Sequence, residues 1–366
     1  MDSVRTKLGG IELKPRYSCA DNEKILVSLI LPAYNEEAII QKNMDTLYAY
    51  LATLEDQYRW EIILVNDGSG DKTGELADSI AAEHSNTRVY HHLVNRNLGY
   101  ALRTGFSHAN GTYIIVFDMD LSYSAEHIER LLTTIRKTEA EIVVASPYME
   151  GGSNINVPFV RLLLSKAANR LMRIISGINI YTFTGMVRAY NGNFLKQLNL
   201  KARSYDINPE VLQKANLLRA HVVEIPACLD WTDQQAVGRT SSLKVLGTIL
   251  IGLMSAFMMR PYAVFLFFGF VLFMISLYVI GWIFMNTYQA FPDVVVMTDG
   301  YRAGFTKAVA KVFDERPYSF FVGGTTLIMA LQFFGIGFLS LQNKRYFDEL
   351  FHINTRILKN STIEQK

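Results

Sequence analysis

Two stretches in the last third of the 366-residue chain carry no charge at all, Tyr262–Phe291 and Tyr318–Asn343. A helix needs roughly 20 residues to cross a hydrocarbon core of about 30 Å, so both read as transmembrane helices. A shorter uncharged run, Val245–Met259, is flanked by Lys244 and Arg260. It reads as an interfacial amphipathic helix within 241–260, lying on the inner leaflet, with a third crossing as the alternative. Basic residues Arg239, Lys244 and Arg260 precede the first span, and Lys344, Arg345, Arg356 and Lys359 follow the second. The connecting loop, 286–317, is the poorer side by this count, so both termini and the tail 344–366 are expected in the cytosol. Its YRAGFTKAVAKVF stretch looks like an amphipathic helix on the outer face. Met1–Gly10 is charged with no apolar core after it, unlike a signal peptide, and residues 1–24 read as an N-terminal extension.

From Ile25 to Trp231 the pattern is different: short apolar runs alternate with longer amphipathic stretches, as in an α/β layer fold. The expected strands are Ile25–Pro32, Trp60–Asp67, Thr87–Leu93, Tyr113–Asp118 and Glu141–Ser146, with helices over Glu36–Leu54 and Asp71–His84. Strands apolar on both faces belong in a buried parallel sheet. The net charge of +2 gives no basic footprint, which excludes nucleic acid as partner. Cys19 and Cys228 stand too far apart in sequence for a zinc motif and read as ordinary thiols. The adjacent His91 and His92 fit no metal-ligand spacing and read as structural or surface residues.

Four clusters fall where such a sheet would bind ligands, at or beyond its strand ends. In LPAYNEE (Leu31–Glu37), Pro32 stops the first strand and Asn35 is placed to cap the next helix. In VNDGSGDKT (Val65–Thr73), Asp67 stands at the mouth of a buried strand, where a carboxylate can accept from a nucleobase or ribose, and Ser69 or Asp71 can cap the turn. Asp118-Met119-Asp120 follows YIIVF, and two carboxylates one residue apart at a strand end suit Mg²⁺ or Mn²⁺. Last comes a basic set, Arg161, Arg188, Arg239 and Lys244, of which Arg239 and Lys244 directly precede the membrane segments, where an anionic headgroup would arrive.

LPAYNEE, VNDGSGDKT, NRNLGYALRTG (Asn95–Gly105) and Asp118-x-Asp120, in this order, resemble glycosyltransferase family 2 with its GT-A fold, over about Val27–Trp231. The two spans and GRTSSLK (Gly238–Lys244) are similar to the polyprenyl-phosphate branch, which includes dolichyl-phosphate mannose synthases and bactoprenol glucosyltransferases. The resemblance implies a Rossmann-like GT-A domain over 25–240 facing the cytosol, then the interfacial helix and a two-helix membrane region, 261–343. It implies an integral protein of a prokaryotic plasma membrane or the endoplasmic reticulum, with homo-oligomer formation left open.

It also implies roles. Pro32, Tyr34, Glu36, Asp67, Asn97, Gly99, Asp118, Met119 and Asp120 would hold a UDP- or GDP-hexose donor. Asp118 and Asp120 would hold Mg²⁺ or Mn²⁺, with Ser122 where relatives often carry Gln. Arg161, Ser165, Arg188, Arg239 and Lys244 would meet the polyprenyl phosphate, with Asp118, Asp120 and Arg161 as the catalytic set and Glu210 as a further carboxylate. Relatives often have an Arg where Pro147 stands and an Asp where Thr182 stands.

With an ionised phosphate as nucleophile, inverting displacement at the anomeric carbon needs no strong protein base. A rival is a synthase acting on a glycolipid or polysaccharide hydroxyl. Its Gln-x-x-Arg-Trp signature does not follow the domain, since Gln57-Tyr58-Arg59-Trp60 has the wrong spacing and lies before the second motif. A second rival is a non-catalytic membrane scaffold, which Pro147 would suit and the intact Asp67, Asp118 and Asp120 oppose. A transporter is the least favoured rival, because the spans carry no charged residue to mark a pathway.

Overall fold

The computed structural model describes residues 24–232, 261–295 and 301–364. Arg239, Lys244, Cys19 and the expected interfacial helix over 241–260 lie outside the described residues. The chain divides into two compact units, one formed by residues up to 157 with 185–207 and 221–239, the other by 158–184, 208–220 and 240 onward.

The first unit is built on β1 (Ile25–Ala33), β2 (Tyr58–Asn66), β3 (Thr87–His91), β4 (Tyr113–Val116), β5 (Ile142–Ser146), β7 (Arg188–Asn191) and β8 (Val222–Pro226), in the order β3-β2-β1-β4-β7-β5-β8. A small parallel pair, β6 (Ser153–Ile155) with β9 (Cys228–Asp230), stands apart from it. Helices α1 (Ile40–Ala52), α2 (Thr73–Glu83), α3 (Leu98–His108) and α4 (Glu126–Thr138) follow β1, β2, β3 and β4 in turn, and α6 (Gly192–Gln197) follows β7. Val27, Leu29, Leu31, Ile62, Leu64 and Ile115 pack against Met44 and Leu47 of α1, Ala77 of α2 and Ile128 and Leu132 of α4. On the opposite face α3 approaches so closely that a Cβ at Gly105 would meet Ile30 Cγ2 at 2.5 Å. Cover on both faces is why β1, β2 and β4 are apolar throughout.

The five expected strands do run in one direction, and the sheet becomes mixed through a strand the sequence did not announce. β7 runs antiparallel to both β4 and β5, while the other neighbours in the sheet are parallel. Its four residues, Arg-Ala-Tyr-Asn, have no apolar run to announce a central strand.

In the second unit, α5 (Phe159–Ser176) and most of α7 (Ile207–Leu217) accompany α8 (Pro261–Val295), α9 (Tyr301–Glu315) and α10 (Pro317–Glu364). The membrane candidates are Pro261–Pro292 and Pro317–Phe347, with mean hydropathies of 2.7 and 1.7. They pair antiparallel: Ser276 Oγ donates to the Gly323 carbonyl at 3.0 Å, and a Cβ at Gly337 would meet Leu266 at 2.9 Å. Lys344 lies over the Tyr262 ring at 5.6 Å and Arg316 over Trp282 at 5.9 Å, the aromatic and cationic pairing expected at the two edges of a bilayer. The amphipathic segment read in the loop is α9, which buries Ala308 and Val312 and sets Phe313 edge-on to Phe320.

Candidate functional site

The turns after β1 and β2 are laced by side chains that satisfy backbone groups across the gap. The N–H groups of Asn35, Glu36 and Glu37 donate to Ser69 Oγ (3.0 Å), Thr73 Oγ1 (2.8 Å) and Asp71 Oδ2 (3.2 Å). In return the N–H groups of Gly70 and Lys72 donate to Asn35 Oδ1 (3.0 Å) and Glu37 Oε2 (3.2 Å). Asn35 is therefore a bridge, at φ 54°, and not the cap expected from the sequence; α1 starts only at Ile40. Asp71 does cap, its Oδ1 accepting from the Thr73 N–H at 3.0 Å. Its carboxyl is pushed up by burial, and the bonds from Thr73 and Glu37 more than reverse this, holding it below the usual range. This frame carries Tyr34 and Glu36 on one turn, with Tyr34 exposed, and Asp67 beside the other; Pro32, expected to stop β1, is instead inside it, paired with Val65.

Asp67 follows β2 and is only 4% exposed. Its N–H donates to the Ala33 carbonyl at 2.9 Å, fixing it to the end of β1. Its Oδ1 accepts from His92 Nδ1–H at 2.6 Å and from the Arg96 N–H at 3.0 Å. Gly68, at φ +67°, lets the 94–95 backbone pass, since a Cβ there would lie 2.3 Å from Val94 C. In this loop Arg96 stacks on Tyr100 at 4.2 Å, and Asn97, at φ 71°, precedes α3. Gly99, in the first turn of α3, is needed for packing: a Cβ would come within 2.5 Å of Arg203 C.

Asp118 and Asp120 stand half-buried just past β4, with Met119 buried between them and its carbonyl accepting from Asn43 Nδ2 at 2.9 Å. Asp120 Oδ1 accepts from the Ser122 N–H at 3.0 Å. Both carboxylates bear on the buried phenol of Tyr123: burial raises its pKa well above the ordinary value, and Asp118, Tyr148 and Asp120 raise it further against the opposing charge of Arg188. The acidic pair thus converges on one neighbourhood. Arg188, expected at the acceptor phosphate, is fully buried in β7, opposite Val116 and Val144. Burial lowers its pKa, and Tyr190 and Glu224 act to hold its charge. The structure thus corrects its expected place, inside the sheet and not beyond it, and its charge bears on Tyr123.

In the second unit, Arg161 and Ser165 are half-buried and one helical turn apart on α5. Asn169, a turn further, donates to the Ser165 carbonyl at 2.9 Å and accepts from the Phe183 N–H at 2.7 Å, which ties α5 to the 182–184 segment. The exposed face of α5 carries large apolar residues: Phe159, Val160, Leu163 and Ile174 are 77, 65, 56 and 67% exposed. Lys166 and Arg170 are exposed on the same helix. Glu210 pairs with Lys214 at 2.6 Å within α7.

The profile of the family described as Glycosyl transferase family 2 matches residues 28–198. The chain is also 31% identical over 205 residues to the polyprenol monophosphomannose synthase of Mycolicibacterium smegmatis, an alignment covering 54% of this chain and 75% of that protein. The chain belongs to glycosyl transferase family 2. It is accordingly a glycosyltransferase, with a GT-A-like mixed sheet. A dolichyl-phosphate beta-glucosyltransferase of Trichomonas vaginalis is 29% identical over 237 residues, 62% of this chain and 68% of that one. Among solved structures, the glucosyl-3-phosphoglycerate synthase of Mycobacterium tuberculosis, in complex with Mn²⁺, UDP and phosphoglyceric acid, aligns with a TM-score of 0.47 at 19% identity, covering 63% of this chain and 78% of that one.

One residue escaped the sequence reading. His92, taken as structural or surface, is the hydrogen-bond partner of Asp67. The signal was in the strand register: Asn66 pairs with His91 across parallel β2 and β3, so Asp67 and His92 emerge side by side. His91 meanwhile bridges Asn66 and Asp78, at 3.0 Å to each.

Proposed function

We propose that this glycosyltransferase moves a hexose from a UDP- or GDP-linked donor to a polyprenyl phosphate at the cytosolic membrane face, inverting the anomeric centre. The relatives named above act on polyprenol and dolichyl phosphates, and this chain carries two apolar helices long enough to anchor it beside such lipids. The observation that carries the acceptor half is α5. A helix whose exposed face mixes large apolar residues with the cations Lys166 and Arg170 suits the headgroup boundary of a bilayer, and Arg161 with Ser165 on it supplies a cation and a hydroxyl for one phosphate.

On the donor side, Asp67 accepts from the nucleoside, the laced turns hold Tyr34 and Glu36 around it, and Asp118 and Asp120 face the diphosphate. Asp118 and Asp120, one residue apart just past β4, are hard carboxylates that would hold Mg²⁺ or Mn²⁺ together with substrate phosphates, and no group of three or more His, Cys, Asp or Glu suited to a metal occurs among the described residues. When bound, the cation neutralises charge on the departing diphosphate. Arg161 orients the lipid phosphate, whose oxygen is already ionised near neutral pH, so the chain supplies position more than basicity.

The test is transfer by purified protein in detergent, with Mg²⁺ or Mn²⁺, a panel of UDP- and GDP-hexoses and a polyprenyl phosphate. A glycosylated lipid phosphate is expected, and Asp120→Ala should cost roughly 100-fold in rate. Transfer only to hydroxyl acceptors, or full activity in Asp120→Ala, would overturn this assignment.

A further inference from the structure

Asp67 accepts two hydrogen bonds on one oxygen and none on the other. Oδ1 takes the Nδ1–H of His92 and the N–H of Arg96, while Oδ2 accepts none from the described residues and is not among the buried polar atoms sealed from solvent. His92 is itself pinned. Its N–H donates to the Asn66 carbonyl at 2.9 Å, and its Nε2 meets Thr104 Oγ1 of α3 at 2.9 Å. Because a carboxylate only accepts, Nδ1 must carry the proton toward Asp67.

The bases of the two candidate donors differ on the edge a carboxylate can read. Uracil presents a single N–H between two carbonyls. Guanine presents two N–H groups side by side, which a carboxylate satisfies by using both oxygens. With Oδ1 already holding two donors, Asp67 has one oxygen to give. We infer that His92 is a specificity-determining positioning residue which, by occupying Asp67 Oδ1, sets the donor pocket for a uridine diphosphate in preference to a guanosine diphosphate. This rests on the proposed role of Asp67 at the donor nucleoside and deepens it. The cost to guanine is a second N–H left without an acceptor in a buried place, the kind of mismatch that discriminates strongly.

The experiment is calorimetric titration of the full-length protein in detergent, with Mg²⁺ present and no lipid, using UDP and GDP, whose diphosphates are identical. UDP should bind at least tenfold more tightly. His92→Ala should weaken UDP about tenfold and narrow the UDP:GDP ratio. In His92→Asn the amide nitrogen falls near the place of Nδ1, so most of the ratio should return. Thr104→Val, which removes the partner of Nε2, should narrow the ratio less than His92→Ala. If His92→Ala does not fold, the asparagine and valine variants carry the comparison.

GDP binding as tightly as UDP, binding of neither nucleotide, or variants that lower both affinities equally would overturn the inference. Binding is read without acceptor, so its failure is separable from that of the acceptor assignment. Protein that prefers UDP yet glycosylates no polyprenyl phosphate would sink the acceptor half alone.

Discussion

Strand β2 and the residue after it carry two buried carboxylates, Glu61 at 6% exposure and Asp67 at 4%. They are handled in opposite ways. Glu61 has every oxygen occupied: Oε2 accepts from Ser28 Oγ (2.7 Å) and the Asn110 N–H (3.0 Å), and Oε1 from Asn110 Nδ2 (3.0 Å) and the Arg88 guanidinium (3.0 Å). Asp67 is filled on one oxygen and open on the other. A buried carboxylate with its donors supplied from within ties strands and loops together; one left half-supplied at the mouth of a strand is where a ligand supplies the rest. The difference lies in what surrounds the residues, since residue type and burial are nearly the same.

The strongest way to break this comparison is to remove Glu61. Glu61→Ala leaves Ser28, Asn110 and Arg88 without their acceptor and should destabilise the protein by about 3 kcal/mol. Nucleotide affinity should stay within twofold of the parent, because Glu61 lies six residues before Asp67 in the same chain, toward the other end of the strand. Thermal unfolding in detergent together with UDP titration checks both halves. A large fall in affinity with little loss of stability would reverse the assignment.

Sequence patterning made one half of this pair legible. Asp67 stood out because it follows an apolar run and precedes a glycine turn, and Asp118 and Asp120 stood out because they too follow an apolar run. The five expected strands were found within a few residues of their observed bounds, because long apolar runs decide strand position over weak local preference. Glu61 passed unremarked inside WEIILVND, since its donors come from positions 28, 88 and 110, distances along the chain that no local pattern encodes. His92 was missed for the same reason, as its meaning depends on the pairing of β2 with β3. Asn35 was misplaced because a polar residue before a helix looks like a cap whether it caps or bridges to another turn. Arg188 was placed beyond the sheet because four mixed residues do not advertise a central strand.

A smaller perturbation works at Asp67 itself. Asp67→Asn keeps an Oδ1 able to accept from His92 and Arg96, and turns Oδ2 into an amide donor. UDP affinity should fall about tenfold, equivalent to about 1.4 kcal/mol. Stability should change by less than about 1 kcal/mol, since the internal bonds survive. Titration paired with thermal unfolding again reads both numbers. A stability loss as large as that of Glu61→Ala would mean that Asp67 is as structural as Glu61, and the contrast between them would fail.

The smallest expected effect is in acid, and it sharpens the contrast by touching Glu61 alone. Burial pushes its carboxyl up, but the hydrogen bonds from Ser28 and Asn110 and the Arg88 charge outweigh burial and leave it below the ordinary 4.5. A group whose pKa is depressed in the folded state contributes stability that is fully present above its unfolded value and lost as pH falls through its folded value. The contribution of Glu61 should therefore be intact at neutral pH and fade below about 4.5. Asp71, Glu126 and Asp230 are depressed as well, so the whole protein weakens in the same range. Only the difference between parent and Glu61→Gln isolates Glu61. Glu61→Gln cannot ionise, so the stability gap between the two should be widest near neutral pH and close as the pH drops below the ordinary carboxylate value. A gap that stays constant from neutral pH into acid would show that the ionised form of Glu61 is not what the surrounding donors hold.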